Sequence, residues 1–404
     1  MMLICLVGGA VRDILMGRSA QDFDYLVLGA TPGQFLERFP KATQVGKAFP
    51  VYLVESKEFA FPRTDNCPSC CCAFGDNDLL NDLATDLQAR DLTINALALP
   101  LSDYPYIPSR AEAWDLAVGT PTSLSDLRAN ILRPVRGSSL NEDPLRVFRA
   151  ARFQAQLPTF TAHDELKLAM SSCTAQGLTK DLAPERIGRE IRKTLLSQKP
   201  GNMIRLLAET GSLNPWFTEL TGAVDIPAGP VPHHNESLLE HTAQLMDQVA
   251  GDELVCWMAL THDLGKGVTP RDRHPSHHGH DRLGEPLARQ LGERLALPNR
   301  FIRAGELAAR WHMTAGRYSE LRPGTRVDML TALHAQRLTK EMFRLVEADT
   351  GQNLHDIVMA DLQTMLEVHL PEQWRNKGEE SGKRLRHLRC EALSRASAKA
   401  RPAP

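Results

Sequence analysis

Several absences narrow this chain before any motif is read. No apolar run approaches the roughly 20 residues that a membrane-spanning helix needs, so no membrane partner is expected. The opening MMLICLVGGAVRD has no basic region ahead of its apolar residues and runs straight into a polar motif. That pattern predicts no secretory signal and a cytoplasmic location. Neither an internal repeat nor a low-complexity segment occurs, which argues against a repeat array or a disordered chain. An excess of one charge is missing too: 47 Lys and Arg face 49 Asp and Glu, for a net charge of −2. This balance is silent on nucleic acid, because binding needs a local basic patch rather than a basic total. In a reducing compartment the eight cysteines are expected to be thiols, not a disulfide framework.

What is present is an ordinary globular composition, 42% hydrophobic and 24% charged, in a chain of 404 residues. At roughly 100–200 residues per domain, that length predicts two or more domains. Basic patches do occur locally. Arg128, Arg133, Arg136, Arg146, Arg149 and Arg152 are opposed in their stretch only by Glu142 and Asp143. The C-terminal RNKGEESGKRLRHLRCEALSRASAKAR is basic as well, although such a run is also what a solvated helix face looks like. Up to about residue 100, short β-rich runs (YLVLG, FPVYLVE) mix with helical ones (VRDILMG, PGQFLERF). Later segments, EDPLRVFRAARFQAQL, APERIGREIRKTLLS and MIRLLAETGSL, repeat apolar residues at three-to-four spacing and predict helices. GAVDIPAGPVP at 222–232 reads as a linker, followed by a His-rich helical stretch to about residue 370.

In QDFDYLVLG, Asp22 and Asp24 stand two residues apart. On a strand both carboxylates would leave the same face, where like charges repel unless a cation lies between them. Mg²⁺ suits such oxygens together with phosphate and water. Gly8 and Gly9 let the backbone approach an anion, and Arg12, one turn into a following helix, adds forked donors. An isolated Asp-x-Asp is commonly a solvated acid pair; the Gly-Gly, Val-Arg-Asp and Asp-x-Asp together are far more specific.

With these residues in view, LVGGAVRDILMG followed by DFDYLVLG resembles the first motif of class II tRNA nucleotidyltransferases and bacterial poly(A) polymerases, members of the polymerase-β-like superfamily. ARDLTINALA (89–98) resembles their second motif through Arg90, Asp91 and Asn95. Asp115 and Gly119 resemble the hinge motif, EDPLRVFRAARF (142–153) the fourth and APERIGRE (183–190) the fifth. By the same resemblance Glu58 is a third catalytic carboxylate beside Asp22 and Asp24, and Arg12, Arg90 and Arg149 hold phosphate and sugar. Two departures stand out. Ala89 replaces a usual Arg, and the loop TPTSLSD after Gly119 is expected to be longer than usual. The cluster Cys67, Cys70, Cys71 and Cys72 has adjacent cysteines that fit tetrahedral zinc poorly, and no second pair follows.

In EDPLR, Asp143 and Arg146 are expected to be neighbours on one helix face, with Arg149 three residues on. An ionised Asp only accepts hydrogen bonds and an Arg only donates. Cytosine and adenine each offer an amino donor beside a ring acceptor; uracil and guanine reverse that order. The pair can therefore admit C and A and reject U and G, since a mismatch leaves buried polar groups unpaired. This is the CTP and ATP selectivity that the family resemblance implies.

Farther along stand His241, the doublet His262–Asp263, His280, His312 and Asp349, in an order that resembles the HD phosphohydrolase superfamily. Imidazoles with carboxylates suit a divalent metal that polarises a phosphoester and activates water. Lys266, in HDLGKG, is a candidate phosphate contact, while His233, His274, His277 and His278 are expected at the surface or facing substrate.

The resemblance implies an α+β fold. A polymerase-β-like nucleotidyltransferase head with a mixed sheet (1–135) precedes an all-α neck and body (136–221), an all-α HD domain (222–370) and a basic tail (371–404). It implies addition and repair of the tRNA 3′-terminal CCA with Mg²⁺ at the head. A divalent ion at the HD site (Mg²⁺, Ni²⁺ or another transition metal) would support 2′,3′-cyclic phosphodiesterase, 2′-nucleotidase and phosphatase activity, as in multifunctional CCA proteins. The expected partners are tRNA, CTP and ATP, for a monomer or homodimer, with tRNA on the Arg-rich helices and basic tail. Alternatives are a poly(A) polymerase, an enzyme adding only CC or only A, and an HD phosphohydrolase with a non-catalytic head.

Overall fold

The computed structural model describes residues 2–20, 22–46, 50–62, 76–102, 104–231 and 235–399. The cluster Cys67, Cys70, Cys71 and Cys72 and His233 lie outside these residues. The chain divides into two compact units, residues 1–154 with 158–179 and residues 155–157 with 180–404.

In the first unit, β1 (Leu3–Val7), β2 (Asp24–Leu28), β3 (Thr43–Val45), β4 (Val51–Val54), β5 (Lys57–Ala60), β6 (Leu97–Leu101) and β7 (Val118–Gly119) form one mixed sheet. Their order is β3-β4-β5-β2-β1-β6-β7. β2 runs antiparallel to β1, with Val7 opposite Asp24, and parallel to β5, with Asp24 opposite Glu58. Helices α1 (Gly9–Leu15), α2 (Pro32–Arg38), α3 (Asp76–Gln88), α4 (Arg110–Leu116) and α5 (Ser123–Ala129) accompany the sheet. They are followed by α6 (Ser139–Glu142), α7 (Arg146–Gln156) and α8 (Asp164–Ala175).

β2 is central, so both of its faces are covered and YLVL reads as an uninterrupted apolar run. Leu26 and Leu28 pack with Cys5, Val7, Ala96 and Ala98 against Leu83 and Leu87 of α3. On the other face Tyr25 stacks on Phe59 with ring centroids 4.7 Å apart, beside Phe35 and Tyr104. Burying each leucine, valine or phenylalanine among these contributes about 1.5–3 kcal/mol. Strand alternation puts Asp24 on the α3 side of the sheet, the side from which Arg90 follows α3. Most of TPTSLSD is not a loop: its serines open α5, where Thr120 N–H donates to Ser123 Oγ at 3.1 Å.

In the second unit come α9 (Pro184–Leu195), α10 (Gly201–Glu209), α11 (Leu238–Gln248), α12 (Glu253–Thr261) and α13 (His280–Arg294). After them lie α14 (Asn299–Gly316), α15 (Pro323–Ala335), α16 (Thr339–Thr350), α17 (His355–Leu366) and α18 (Glu379–Lys399). Leu254 through Thr261 are all buried, which makes α12 the hydrophobic axis that ends at the HD doublet. The four-part division expected from sequence differs from these two units. α9 and α10 belong with the His-rich helices, because Arg192 pairs with Glu253 and Arg205 pairs with Glu240 and Asp247. The basic tail is largely the helix α18, and part of its charge serves the fold. Arg386 pairs with Asp328 of α15, Arg389 donates to the Met365 carbonyl, and Leu393 is fully buried. Among the described residues no helix is long and apolar enough to cross a membrane.

Candidate active sites

The β1–α1 turn holds the first site. Gly8 adopts φ +77°, and a Cβ there would lie 2.7 Å from Nη1 of Arg90, so only glycine allows this guanidinium to rest on the turn. Gly9 opens α1. Asp24 is the first residue of β2, whereas Asp22 lies two residues before the strand begins. The two carboxylates nevertheless feel one another. Desolvation raises the Asp24 pKa, the Arg90 charge opposes this, and the Asp22 charge raises it further. Glu58 lies beside Asp24 in the adjoining parallel strand. Among the described residues none forms an ion pair with Asp22, Asp24 or Glu58. Three exposed carboxylates on neighbouring segments, none in a contact ion pair among the described residues, are a hard-oxygen set that fits Mg²⁺.

Behind them runs a buried chain of polar contacts. Arg12, 8% exposed, donates from Nη1 to Asn95 Oδ1 at 2.7 Å and pairs with Asp13. Asn95 Nδ2 donates to Asp91 Oδ1 at 3.0 Å, and Asp91 Oδ2 accepts from Arg149 Nε at 2.8 Å. Burial alone would raise the Asp91 carboxyl, but Arg149, Asn95 and the Leu92 N–H hold it below the usual range. The Phe153 ring lies under Arg12, Arg149 and Arg152, with guanidinium carbons 5.3, 5.9 and 4.2 Å from its centroid. Sequence reasoning gave no individual role to Phe153, Arg152 or Asp13. It also passed over Asp86, which aims Arg90 by hydrogen bonds at 3.0 and 2.8 Å and was signalled by the i,i+4 spacing.

Asp143 and Arg146 do not share a helix face as expected. Asp143 precedes Pro144, which disfavours the helical region for it, and it ends α6 in an extended conformation, φ −137° and ψ 95°. α7 begins only at Arg146. The Arg146 guanidinium donates to three carbonyls: Ala89 at 2.5 Å, Ser139 at 3.1 Å and Arg90 at 3.4 Å. The position that departs from the family at Ala89 thus contributes its backbone oxygen.

The histidine array assembles in the second unit. His241 comes from α11, His262 caps α12, Asp263 follows it, His280 opens α13, His312 lies in α14 and Asp349 in α16. Asp263 Oδ1 is 3.2 Å from Nε2 of both His280 and His312. Its Oδ2 is 3.0 Å from Nε2 of His262 and 3.6 Å from Nε2 of His241. Asp349 Oδ1 is 3.3 Å from Nε2 of His241. Gly265 makes this closure possible: a Cβ there would fall 2.0 Å from the His280 carbonyl, so a larger residue would push α13 away.

The chemistry of this donor set fits a metal. Nδ1 of His262 lies 2.8 Å from the Ala259 carbonyl, that of His280 2.9 Å from the His277 carbonyl, and that of His312 3.0 Å from the Ala308 carbonyl. A carbonyl only accepts, so each Nδ1 carries the hydrogen and each ring turns its Nε2 toward Asp263. Nε2 of His280 and Nε2 of His312 face one another at 3.2 Å. Nε2 of His262 and Oδ1 of Asp263 are buried without a hydrogen-bond partner. Burial lowers the His312 pKa despite Asp263, which keeps that ring neutral. Burial works against the Asp263 charge, yet His262 and Lys266 hold its carboxyl well below the usual range. For Asp349 the opposing effect of burial is overcome by the His241 hydrogen bond and the His262 charge, leaving it at about 2. Imidazole nitrogens and carboxylate oxygens that converge in this way suit a divalent cation. His241, His262 and Asp263 form one candidate ligand triad, and Asp263, His280 and His312 a second.

Two neighbours differ from expectation. Lys266 is buried, its Nζ 2.6 Å from both Asp263 Oδ2 and the Ala228 carbonyl, so it is committed to the fold rather than presented to a phosphate. His277 is fully buried, with both ring nitrogens hydrogen-bonded, not at the surface. His278 is exposed and His274 half-buried.

Comparisons with known proteins identify the segments that carry these residues. The Poly A polymerase head domain family matches residues 4–132. The family described as the probable RNA and SrmB-binding site of polymerase A matches 159–223, and the HD domain family 233–349. A multifunctional CCA protein of Stenotrophomonas maltophilia is 35% identical over 99% of this chain and 98% of its own. One of Herminiimonas arsenicoxydans is 34% identical over 86% of this chain and 82% of its own. The solved Thermotoga maritima CCA-adding enzyme complexed with tRNA shares the fold, with a TM-score of 0.61 at 16% identity over 98% of this chain and 92% of that one. With head, RNA-binding and HD segments matched in order and a relative aligned almost end to end, the chain belongs to the multifunctional CCA protein family.

Proposed function

We propose that the first unit adds and repairs the 3′-terminal CCA of tRNA without a nucleic-acid template, consuming CTP and ATP and releasing pyrophosphate. The observation that supports this reading is Asp24 beside Glu58 in the β2–β5 register, with the Asp22 charge acting on Asp24 and no ion-pair partner for the three among the described residues. Mg²⁺ bound by these carboxylates would supply a Lewis acid to the tRNA 3′-hydroxyl and the α-phosphate it attacks. Arg90, aimed by Asp86 and resting on Gly8, offers donors to phosphate oxygens. Asp91 and Asn95 act by holding Arg12 and Arg149 in place, not by touching nucleotide. Base choice falls to Asp143 as acceptor and Arg146 as donor. Arg146 now binds carbonyl oxygens, so the ring acceptor of cytosine or adenine exchanges for one of these like for like.

The second unit we read as a phosphohydrolase of 2′,3′-cyclic phosphodiesterase, 2′-nucleotidase and phosphatase character. Divalent ions, Mg²⁺ or a transition metal such as Ni²⁺, held by His241, His262, Asp263 and Asp349 and by Asp263, His280 and His312, would polarise a phosphoester and activate water. Lys266 fixes the shared carboxylate of Asp263. A cytoplasmic location accords with such tRNA chemistry. Asp22→Ala should abolish nucleotide addition and leave cyclic phosphodiesterase activity, while His262→Ala should do the reverse. Loss of both activities in either folded variant would refute two separate sites.

A further inference from the structure

We propose that His277 is a positioning residue of the HD metal centre, clamping together three of the segments that carry its ligands. This rests on the metal-site reading above. His277 lies in the turn ahead of α13, fully buried, with φ +48°. A non-glycine residue in the left-handed region costs about 1–3 kcal/mol and persists where its surroundings demand it.

The carbonyl and the two ring nitrogens of His277 each reach a different ligand-bearing segment. Its carbonyl accepts from His280 Nδ1 at 2.9 Å, which fixes the tautomer and orientation of that ring. Nε2 lies 2.8 Å from the Pro227 carbonyl and so donates to it. Pro227 sits in a stretch bridged to Ser237, the cap of α11, the helix that bears His241. Nδ1 lies 2.6 Å from Thr269 Oγ1, which is also 2.8 Å from the Lys266 carbonyl. Lys266 in turn holds Asp263 at 2.6 Å. The side chain therefore couples the segments of His241 and Asp263, and the carbonyl of the same residue ties in His280, without pointing at the centre itself. Ligands must be held within about 0.5 Å for a metal site to bind well, and outer partners typically contribute 10–100-fold in affinity.

The test titrates Co²⁺ into the metal-free full chain and follows binding by calorimetry and visible absorption. His277→Ala should weaken Co²⁺ binding about 10–100-fold and change the absorption bands. His277→Asn tolerates the left-handed backbone and presents an amide where Nδ1 lies, so it should recover most of the affinity. Thr269→Val, which removes only the hydroxyl, should weaken binding too, and it decides the matter if His277→Ala does not fold. Wild-type affinity and spectrum in His277→Ala and Thr269→Val would overturn the inference while leaving the metal centre standing. An Asn variant no better than Ala would also overturn it. A wild-type chain that takes up no Co²⁺ would overturn the metal reading, and this inference with it.

Discussion

Replacing Asp91 with alanine removes the hub of the head's buried polar chain. Asp91 accepts from the Leu92 N–H at 2.8 Å, from Asn95 Nδ2 at 3.0 Å and from Arg149 Nε at 2.8 Å. Breaking a fully buried ion pair costs about 3–5 kcal/mol. Arg149 is 35% exposed and can rehydrate, which reduces its share to roughly 2 kcal/mol. The orphaned Asn95 amide adds about 1 kcal/mol, for a total near 3 kcal/mol. Hydrogen exchange of the β6 amides, which follow Asn95 directly, should then quicken by roughly 100-fold at neutral pH. Because the folded carboxyl titrates below its unfolded value, its contribution is complete above about pH 4 and is lost as pH falls through the folded pKa. Wild type and variant should therefore converge in acid. Equal exchange rates at neutral pH, or a gap that widens in acid, would refute this account of Asp91.

Gly8→Ala places a methyl 2.7 Å from Arg90 at φ +77°, so nucleotide addition should fall by about tenfold or more while cyclic phosphodiesterase activity stays level. Unchanged addition kinetics would show that Arg90 need not rest on the turn. Adding a divalent ion to about 100 times its Kd should stabilise the second unit by about 2.7 kcal/mol, and chelation should reverse this. A melting profile indifferent to chelator would contradict the cation-dependent reading of Asp263 and its histidines.

The sequence disclosed the chemistry better than the local geometry. Gly8, Asp24, Arg90, His262 and Asp263 were readable because their spacing is dictated by turn, strand and helix ends. Asp143 was misplaced on a helix because the proline after it outweighed the i,i+3 pattern. His277 is expected at the surface or facing substrate, since its contact with the Pro227 carbonyl is long-range and no local periodicity reports it. Phe153 under three arginines escaped notice for the same reason: Arg12 reaches it from another element. The basic tail was visible as charge, but its partner Asp328 lies 58 residues away.

Untemplated choice of C and then A at one site built on Asp143 and Arg146 is the proposal on which the function rests. It is tested by incubating tRNA that lacks CCA with each of CTP, ATP, UTP and GTP alone and with CTP and ATP together. The account predicts addition of C from CTP alone, completion to CCA with both, and no incorporation of U or G. Untemplated A-tails without C, or ready incorporation of U, would contradict it.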